Sequence, residues 1–481
     1  MTVTQPGGGR LALAVLALAT FGYGALETML APALPVIQQA VGASTPAIAW
    51  VFTSVLIAGA VSTPVISKLA DTRNKRGVLL GVLTVVCAGT LVAALATSIT
   101  VLTIGQFLQG VGMGLVPLSV GITRHTQPSE RIRSANGLII GVGALSSVIG
   151  LTVAGPIVAR MPYTWLFWFP FGLLAVTLVF AWLVVPSCPP SGVGRVDWAG
   201  AVLLGLGLAA VLIAITQSTA WGWSSTKELG LVAVSVLLMA AFFLLELRTR
   251  EPLVDLRQLS DRAVLLACAV SFVVGFASFV FMLIPLLVQA PASAGYSLGD
   301  SVTRAGLYLA PLGLVAAFSA PLAGRFERRI GVRAVMVMGT GAAVVANAVL
   351  LVANYSQLIF VSTAVAGFGI GLGLTQAMNI ITATVPAERT ASISGVVYVI
   401  RAVGGALGAQ VGTSILASGH AQVPTWAGFR VALLLSTLIG IVAVALSWAI
   451  PTRIITTASG NVVRARWEND VEMTRSAGHP H

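Results

Sequence analysis

The sequence predicts an all-α integral membrane protein built from two similar halves. Of its 481 residues, 57% are hydrophobic and 9% are charged, and the mean hydropathy is +0.96. A water-soluble chain needs far more polar surface than this. The sequence Gly-Val-Gly-Met-Gly at 110–114 returns as Gly-Phe-Gly-Ile-Gly at 367–371, an offset of 257 (367 − 110). An apolar chain with a repeat of this length is typical of proteins that hold a small molecule between two rocking halves.

The apolar runs account for the elements in chain order, because a helix needs roughly 20 apolar residues to cross a bilayer. About fourteen runs are long enough, and they cover 11–38, 47–69, 77–97, 100–123, 134–159, 164–185, 196–217, 228–246, 262–290, 302–324, 332–353, 356–378, 391–418 and 428–450. The two middle runs have no counterpart in the repeat and are predicted to be an insertion. The predicted order is a cytoplasmic N-terminus (1–10), a six-helix bundle (11–185), a linker with two extra spans (186–261), a second six-helix bundle (262–450) and a polar cytoplasmic tail (451–481).

The repeat also helps to separate scaffold from function. Six further residues recur at an offset of 258: Pro128, Glu130, Arg131, Ser134, Gly137 and Gly150 return as Pro386, Glu388, Arg389, Ser392, Gly395 and Gly408. A residue found in both copies is expected to serve the scaffold, and paired glycines bring membrane helices close together. A charged residue found in one copy is a better candidate for function.

The charge distribution predicts the orientation in the membrane and excludes a nucleic-acid partner. The formal net charge is +12, but the basic residues form short clusters on alternate loops between apolar runs. This alternation is the positive-inside pattern and places both termini in the cytoplasm. The three cysteines are far apart and the four histidines make no ligand pair, so no disulfide framework, metal site or cofactor is predicted. No span or loop combines a nucleophile with a base or pairs two carboxylates, so an enzyme is the weakest interpretation.

A loop motif carries a family resemblance. Between the second and third runs the chain reads Ser-Lys-Leu-Ala-Asp-Thr-Arg-Asn-Lys-Arg at 67–76, and a second copy reads Gly-Arg-Phe-Glu-Arg-Arg-Ile-Gly-Val-Arg at 324–333. The first copy resembles the loop signature of the major facilitator superfamily, and fourteen spans resemble its drug/proton antiporter family. The resemblance implies a monomeric cell-membrane exporter that works by alternating access. It also implies a gating loop, formed here by Asp71, Arg73, Arg76, Arg329 and Arg333, in which Asp71 latches onto the start of the thirteenth span.

The chain departs from the family's pattern at three places. The arginine of the fourth span, linked to proton coupling, is replaced by Gln106. The fifth span has Gly150 followed by leucine instead of the antiporter Gly-Pro, although Gly155 and Pro156 come soon after. The aspartate of the first span is replaced by leucine, with Glu27 beside it.

Two charges lie well inside apolar runs, Glu27 in the first and Arg401 in the thirteenth. An ionisable group at the centre of a bilayer costs ~2.5–3.5 kcal/mol on insertion scales, so it usually faces a cavity or a partner. Neither charge has a counterpart in the other half, and both are therefore candidates for proton coupling. The alternative is that Glu27 only hydrogen-bonds to neighbouring helices and that Arg401 ties backbone carbonyls together.

Polar or aromatic residues on otherwise apolar spans are candidates for the lining of a substrate cavity. They are Trp50, Gln106, Gln109, Gln376, Asn379 and Tyr398. For each of them, a hydrogen bond between helices is an equally good explanation.

The leading functional prediction is proton-driven export of amphipathic or hydrophobic compounds, with the lipid bilayer, a small amphipathic substrate and protons as partners. The alternatives are an exporter dedicated to one endogenous lipid or metabolite, and a membrane scaffold or sensor that transports nothing.

Overall fold

The computed structural model describes residues 8–42, 45–190, 196–222, 224–249, 252–254, 259, 261–290, 299–300, 302–352, 356–386, 389–417 and 425–451. The regular elements in these ranges are helices. The predicted tail beyond residue 451 and most of the predicted N-terminus lie outside the described residues.

The helices follow the predicted order of spans. They are α1 (Gly8–Ala40), α2 (Thr45–Thr72), α3 (Lys75–Ala94), α4 (Ile99–Gly110), α5 (Leu115–Thr126), α6 (Ser129–Arg160), α7 (Trp165–Val184), α8 (Trp198–Trp221), α9 (Thr226–Arg248), α10 (Arg262–Ala277), α11 (Phe279–Gln289), α12 (Val302–Ser319), α13 (Ala323–Ile330), α14 (Val332–Leu351), α15 (Ser356–Thr384), α16 (Thr390–Ala417) and α17 (Trp426–Trp448).

The prediction of about fourteen spans is confirmed. Thirteen described stretches are long and apolar enough to cross a membrane, and the shorter α10 continues directly into α11 to make the ninth span. Large apolar side chains cover the outside, with Leu183 62%, Leu237 69% and Phe318 70% exposed. So much exposed apolar surface fits contact with lipid chains.

Side chains at the loop ends fix where several helices begin. Asn74 accepts a hydrogen bond from the amide of Arg76 at 3.0 Å and so caps α3. Asp261 caps α10 by accepting from the amides of Ala263 and Val264. Each cap satisfies amides that have no partner within the helix.

Three spans are interrupted in the described chain, and in the tenth a 3-10 turn at Ala320–Leu322 separates α12 from α13. In the fourth span, a 3-10 turn at Val111–Gly114 separates α4 from α5. In the ninth, α10 ends at Ala277, and the next residue, Ser278, donates its hydroxyl to the carbonyl of Val274 at 2.7 Å. Pro285 then lies within α11. A serine that bonds back to its own helix and a proline that lacks an N–H both bend helices.

The first six and the last six spans meet along two equivalent seams, α6 against α12 and α2 against α16. A glycine shared by both repeats lies in each seam. A Cβ on Gly137 would be 2.3 Å from the carbonyl oxygen of Ala320, and one on Gly395 would be 2.3 Å from the hydroxyl oxygen of Ser67. A side chain cannot fit at either distance, so these glycines set how closely the halves approach.

The two extra helices, α8 and α9, pack on each other, and α8 also packs against the α2–α16 seam. Ser235 of α9 donates to the carbonyl of Gly207 in α8 at 3.0 Å. At the end of α9 the buried Glu246 accepts from the amide of Leu253, and Lys68 of α2 donates to the carbonyl of Pro252 at 2.5 Å. The inserted pair is thus tied to the same end of α2 that carries the predicted gating loop.

Candidate functional site

A cavity of about 200 Å³ lies between the two halves. Both halves contribute helices to its wall, which is mainly apolar. Its polar or charged lining residues are Thr20, Tyr23 and Glu27 of α1, Ser147 of α6, and Tyr398 and Arg401 of α16. The two intramembrane charges that sequence reasoning singled out therefore face one space.

Helix α1 presents Tyr23 and Glu27 to the cavity because residues four positions apart share a helix face. Close packing of α1 on α6 supports this face. A Cβ on Gly24 would be 2.2 Å from the hydroxyl oxygen of Ser146, and one on Gly150 would be 2.6 Å from the carbonyl oxygen of Ala25. Glu27 is half-buried and has no ion pair within 4 Å among the described side chains.

The repeated glycine motif makes room for Tyr23. A Cβ on Gly112 would be 2.2 Å from the Cε2 atom of the Tyr23 ring, so the ring occupies space that a side chain would fill. The Tyr23 side chain is buried, with 5% exposure, and its hydroxyl has no hydrogen-bond partner among the described residues. Sequence reasoning missed this tyrosine, because its neighbourhood on α1 reads as an ordinary apolar run.

Helix α16 supplies the opposite wall. The guanidinium of Arg401 lies over the ring of Tyr398, with its Cζ atom 5.4 Å from the ring centroid, in cation–π geometry. The Nε atom of Arg401 is buried and has no hydrogen-bond partner in the described part of the chain. Next to it α16 packs tightly on α10, since a Cβ on Gly275 would be 2.2 Å from the carbonyl oxygen of Arg401.

Beyond one end of the cavity, Asp71 joins α2 to the start of α16. Its carboxylate accepts from the amides of Ala391 at 3.3 Å and Ser392 at 2.9 Å, and from the hydroxyl of Ser392 at 2.6 Å. These amides belong to the first turn of α16, where N–H groups lack helical partners and the helix dipole favours an anion. Asp71 is 2% exposed, and the fully buried Lys75 exerts a favourable electrostatic interaction on it.

Two further polar contacts join the halves at this end. Arg124 of α5 donates to the carbonyl of Val385 at 2.7 Å and to the hydroxyl of Thr390. At the other seam, Arg133 of α6 forms a 3.1 Å ion pair with Glu327 of α13. Together with Asp71, these contacts close the basic side, which we define as the end that carries residues 71–76 and 325–333.

The ion pair of Arg133 with Glu327 was not predicted as a site. The second loop copy has Arg328 where the first has Asp71, and the acidic residue, Glu327, lies one position earlier, outside the pattern of the signature. Glu327 also accepts from the amide nitrogen of Gln376 at 3.2 Å. The acid of the second loop copy is therefore Glu327, and its partner is a side chain instead of a helix terminus.

Two other residues of the predicted gating loop bond within their own half. Arg76 donates to the carbonyl of Trp182 in α7, and Arg333 donates to the carbonyl of Ile450, just beyond α17, at 2.8 Å. Arg73 and Arg329 are exposed. Of the five residues assigned to the loop, Asp71 is the one for which a bond to the opposite half is found in the described structure.

Of the six residues predicted to line a substrate cavity, Tyr398 is the one that lines the cavity described here. Gln109 donates to the carbonyl of Gly89 at 3.4 Å, Asn379 accepts from Asn136 at 3.4 Å, and Gln376 binds Glu327. Gln106 is buried away from the cavity, and Trp50 is 40% exposed. Gln109, Asn379 and Gln376 therefore form hydrogen bonds between helices, which was the alternative explanation for these residues.

The residues of the predicted antiporter-like motif lie on α6. Gly150 packs against α1, as described above, whereas Gly155 is half-buried and Pro156 is exposed within the helix. Gly150 is therefore the one of the three with a described close contact.

The opposite end of the protein carries a small polar cluster outside the spans. Asp300 accepts from the guanidinium of Arg304 at 2.9 Å and from the hydroxyl of Tyr308 at 2.7 Å. The bond from Arg304, followed by that from Tyr308, holds the pKa of the Asp300 carboxyl below its ordinary value. No cluster of His, Cys, Asp and Glu that could hold a metal occurs in the residues that the structure describes.

A membrane bundle of two similar halves, with a cavity between them that carries a few polar and charged side chains and a closed seam at one end, is the architecture of a secondary transporter. The sequence model of the Major Facilitator Superfamily matches residues 16–409 and 267–469. The chain belongs to this superfamily and is a transport protein.

Two relatives support this assignment, and a solved structure shares the fold. The chain is 28% identical over 392 residues to the multidrug resistance protein Stp of Mycobacterium tuberculosis, covering 80% of this chain and 72% of Stp. It is 26% identical over 398 residues to the lincomycin resistance protein LmrB of Listeria monocytogenes, covering 82% and 83%. The crystal structure of the human organic anion transporter MFSD10 covers 92% of this chain and 100% of its own, with a TM-score of 0.64 and 15% identity, which shows the fold alone.

Proposed function

We propose that this protein exports small amphipathic compounds in exchange for protons, and that Glu27 carries the proton. The observation that carries the proposal is the cavity, which the Glu27 carboxyl of one half and the Arg401 guanidinium of the other both line without forming an ion pair. The resistance proteins among the relatives support drug-type efflux. The residues that line the cavity all belong to one chain, which supports a monomer as the transporting unit.

The basic clusters support a cell-membrane orientation with the basic side in the cytoplasm. In that orientation the contacts of Asp71, Arg124 and Arg133 close the cytoplasmic end. A proton from outside then neutralises Glu27, the substrate leaves, and the halves rock. Each proton that moves inward supplies ~2.3 kcal/mol per 100 mV of membrane potential.

The test is uphill transport into proteoliposomes driven by a pH gradient. Wild-type protein is expected to concentrate a lipophilic dye against its gradient. The Glu27→Gln variant mimics the protonated state, so it is expected to exchange substrate between the two sides and to lose accumulation. The matched control is Glu130→Gln, which removes an exposed carboxyl from the first turn of α6.

The proposal fails if Glu27→Gln accumulates dye at the wild-type rate. If wild-type protein moves no compound across the membrane under any gradient, the transport activity itself is refuted, and a scaffold role takes its place.

A further inference from the structure

The charges that line the cavity cancel. Glu27 and Arg401 are the charged residues of its described wall, and they lie on different halves. Charge is poorly tolerated in a low-dielectric site unless it is paired. A ligand with a single net charge leaves either Glu27 or Arg401 without a partner. A ligand with one positive and one negative group can satisfy both.

The hydrogen-bonding groups of the cavity point to the same conclusion. The hydroxyl of Tyr23 and the Nε atom of Arg401 are buried without partners among the described residues. A guanidinium N–H donates only, and a phenol O–H readily donates. Buried donors without acceptors are rare in folded proteins and costly to leave so. These two donors therefore have no acceptor in the described wall, and a carboxylate or a similar anion of a ligand would supply one.

Glu27 belongs to the α1 wall of the cavity. It lies one helical turn from Tyr23 on α1, whereas Arg401 lies on α16 and is held over the Tyr398 ring. An ammonium group bound at Glu27 and an anion bound at Arg401 and Tyr23 would thus connect the two halves through the ligand.

We propose that the cavity selects zwitterionic amphiphiles, whose ammonium group binds Glu27 and whose anionic group binds Arg401 and Tyr23. This proposal rests on the transport function proposed above and names its substrate class. It makes Arg401 the residue that discriminates against simple lipophilic cations. Protonation of Glu27 then removes the partner of the ammonium group and leaves the wall with one net positive charge, so the ammonium group is repelled and the zwitterion binds more weakly.

Two fluorescent probes isolate the anionic group. Nε-dansyl-lysine is zwitterionic, and dansylcadaverine is the same molecule without the carboxylate, hence a cation. Equilibrium binding to purified protein in detergent, at neutral pH and without a gradient, measures both affinities. We expect wild-type protein to bind Nε-dansyl-lysine at least tenfold more tightly than dansylcadaverine.

The variants test whether Arg401 is responsible. Arg401→Gln keeps a polar side chain and removes the charge, so the preference for the zwitterion is expected to fall at least tenfold. Arg401→Lys keeps the charge and should retain most of the preference. Arg160→Gln, at an exposed position at the end of α6, is the matched control and should match wild type.

The proposal is overturned if wild-type protein binds the cation as tightly as the zwitterion, or binds neither. It is also overturned if the preference of Arg401→Gln stays within twofold of wild type. Should that variant fail to fold, the wild-type comparison still decides. Because binding is read without a proton gradient, loss of coupling in the Glu27 experiment leaves this result intact, and the two failures can be told apart.

Discussion

Replacing Asp71 with asparagine should open the basic side of the protein. The carboxylate accepts three hydrogen bonds from the first turn of α16, at 2.6, 2.9 and 3.3 Å, and is 2% exposed. Asparagine offers one acceptor oxygen and turns an NH₂ group toward amide donors. A hydrogen bond to a charged group is worth ~1.5–3 kcal/mol, and an anion at a partly buried helix N-terminus up to ~2 kcal/mol. We therefore expect the closed state to lose ~2–3 kcal/mol relative to the open one.

At ~1.4 kcal/mol per factor of ten, this loss shifts the equilibrium between closed and open by about 30- to 150-fold. Spin labels on Arg131 and Arg329, exposed residues in opposite halves on the basic side, report it by double electron–electron resonance. The three native cysteines are buried and make no disulfide, so they can be replaced by serine first. Asp71→Asn should enlarge the long-distance population, slow turnover, and leave substrate affinity within a few-fold.

Glu130→Gln is the control. Like Asp71, Glu130 is a carboxylate at the start of a helix, in the first turn of α6. It is exposed, however, and accepts a hydrogen bond from the neighbouring Ser129 and, among the described residues, none from the opposite half. An unchanged distance distribution in Asp71→Asn would refute the latch. So would a large loss of affinity with normal turnover, since Asp71 would then act on the substrate.

Two other predictions concern the same side of the molecule. Arg133→Glu or Glu327→Arg alone should place like charges together and weaken the closed state, whereas the double exchange should restore it. If the double variant is no better than the singles, the 3.1 Å ion pair does not hold the seam. A cysteine at Arg73 should react with an impermeant maleimide only after cells are permeabilised, whereas one at the exposed Met161 should react in intact cells. The reverse pattern would invert the proposed orientation.

The spans could be predicted because hydropathy is a sum over some 20 residues, and single exceptions hardly change it. The interruptions could not be predicted from that sum. Ser278 ends α10 through a hydroxyl bond to its own backbone, and the turn after Gly110 depends on tight packing against α2. Both effects involve one or two atoms and leave the mean hydropathy unchanged.

The site was predictable where a residue type is unusual for its surroundings. Glu27 and Arg401 stand out because a charge is costly in an apolar span. Tyr23 does not stand out, since a tyrosine in a membrane helix is unremarkable until its hydroxyl is seen to lack a partner. For the glutamines and Asn379, spacing alone could not say whether they face the cavity or a neighbouring helix. That distinction depends on the rotation of each helix, which packing decides.

The placement of Glu27 and Arg401 on different halves gives a physical route from proton binding to movement. At an effective dielectric constant near 20, two unit charges interact with about 4 kcal/mol at 4 Å and about 2 kcal/mol at 8 Å. The described structure has the pair farther apart than 4 Å. Any rocking that brings α1 and α16 together strengthens the attraction while Glu27 is ionised, and protonation abolishes it. A change of ~2 kcal/mol between two states is about a 30-fold change in their ratio. The unpaired charges can therefore bias which side opens, whereas the glycines shared by both repeats fix only how closely the halves approach.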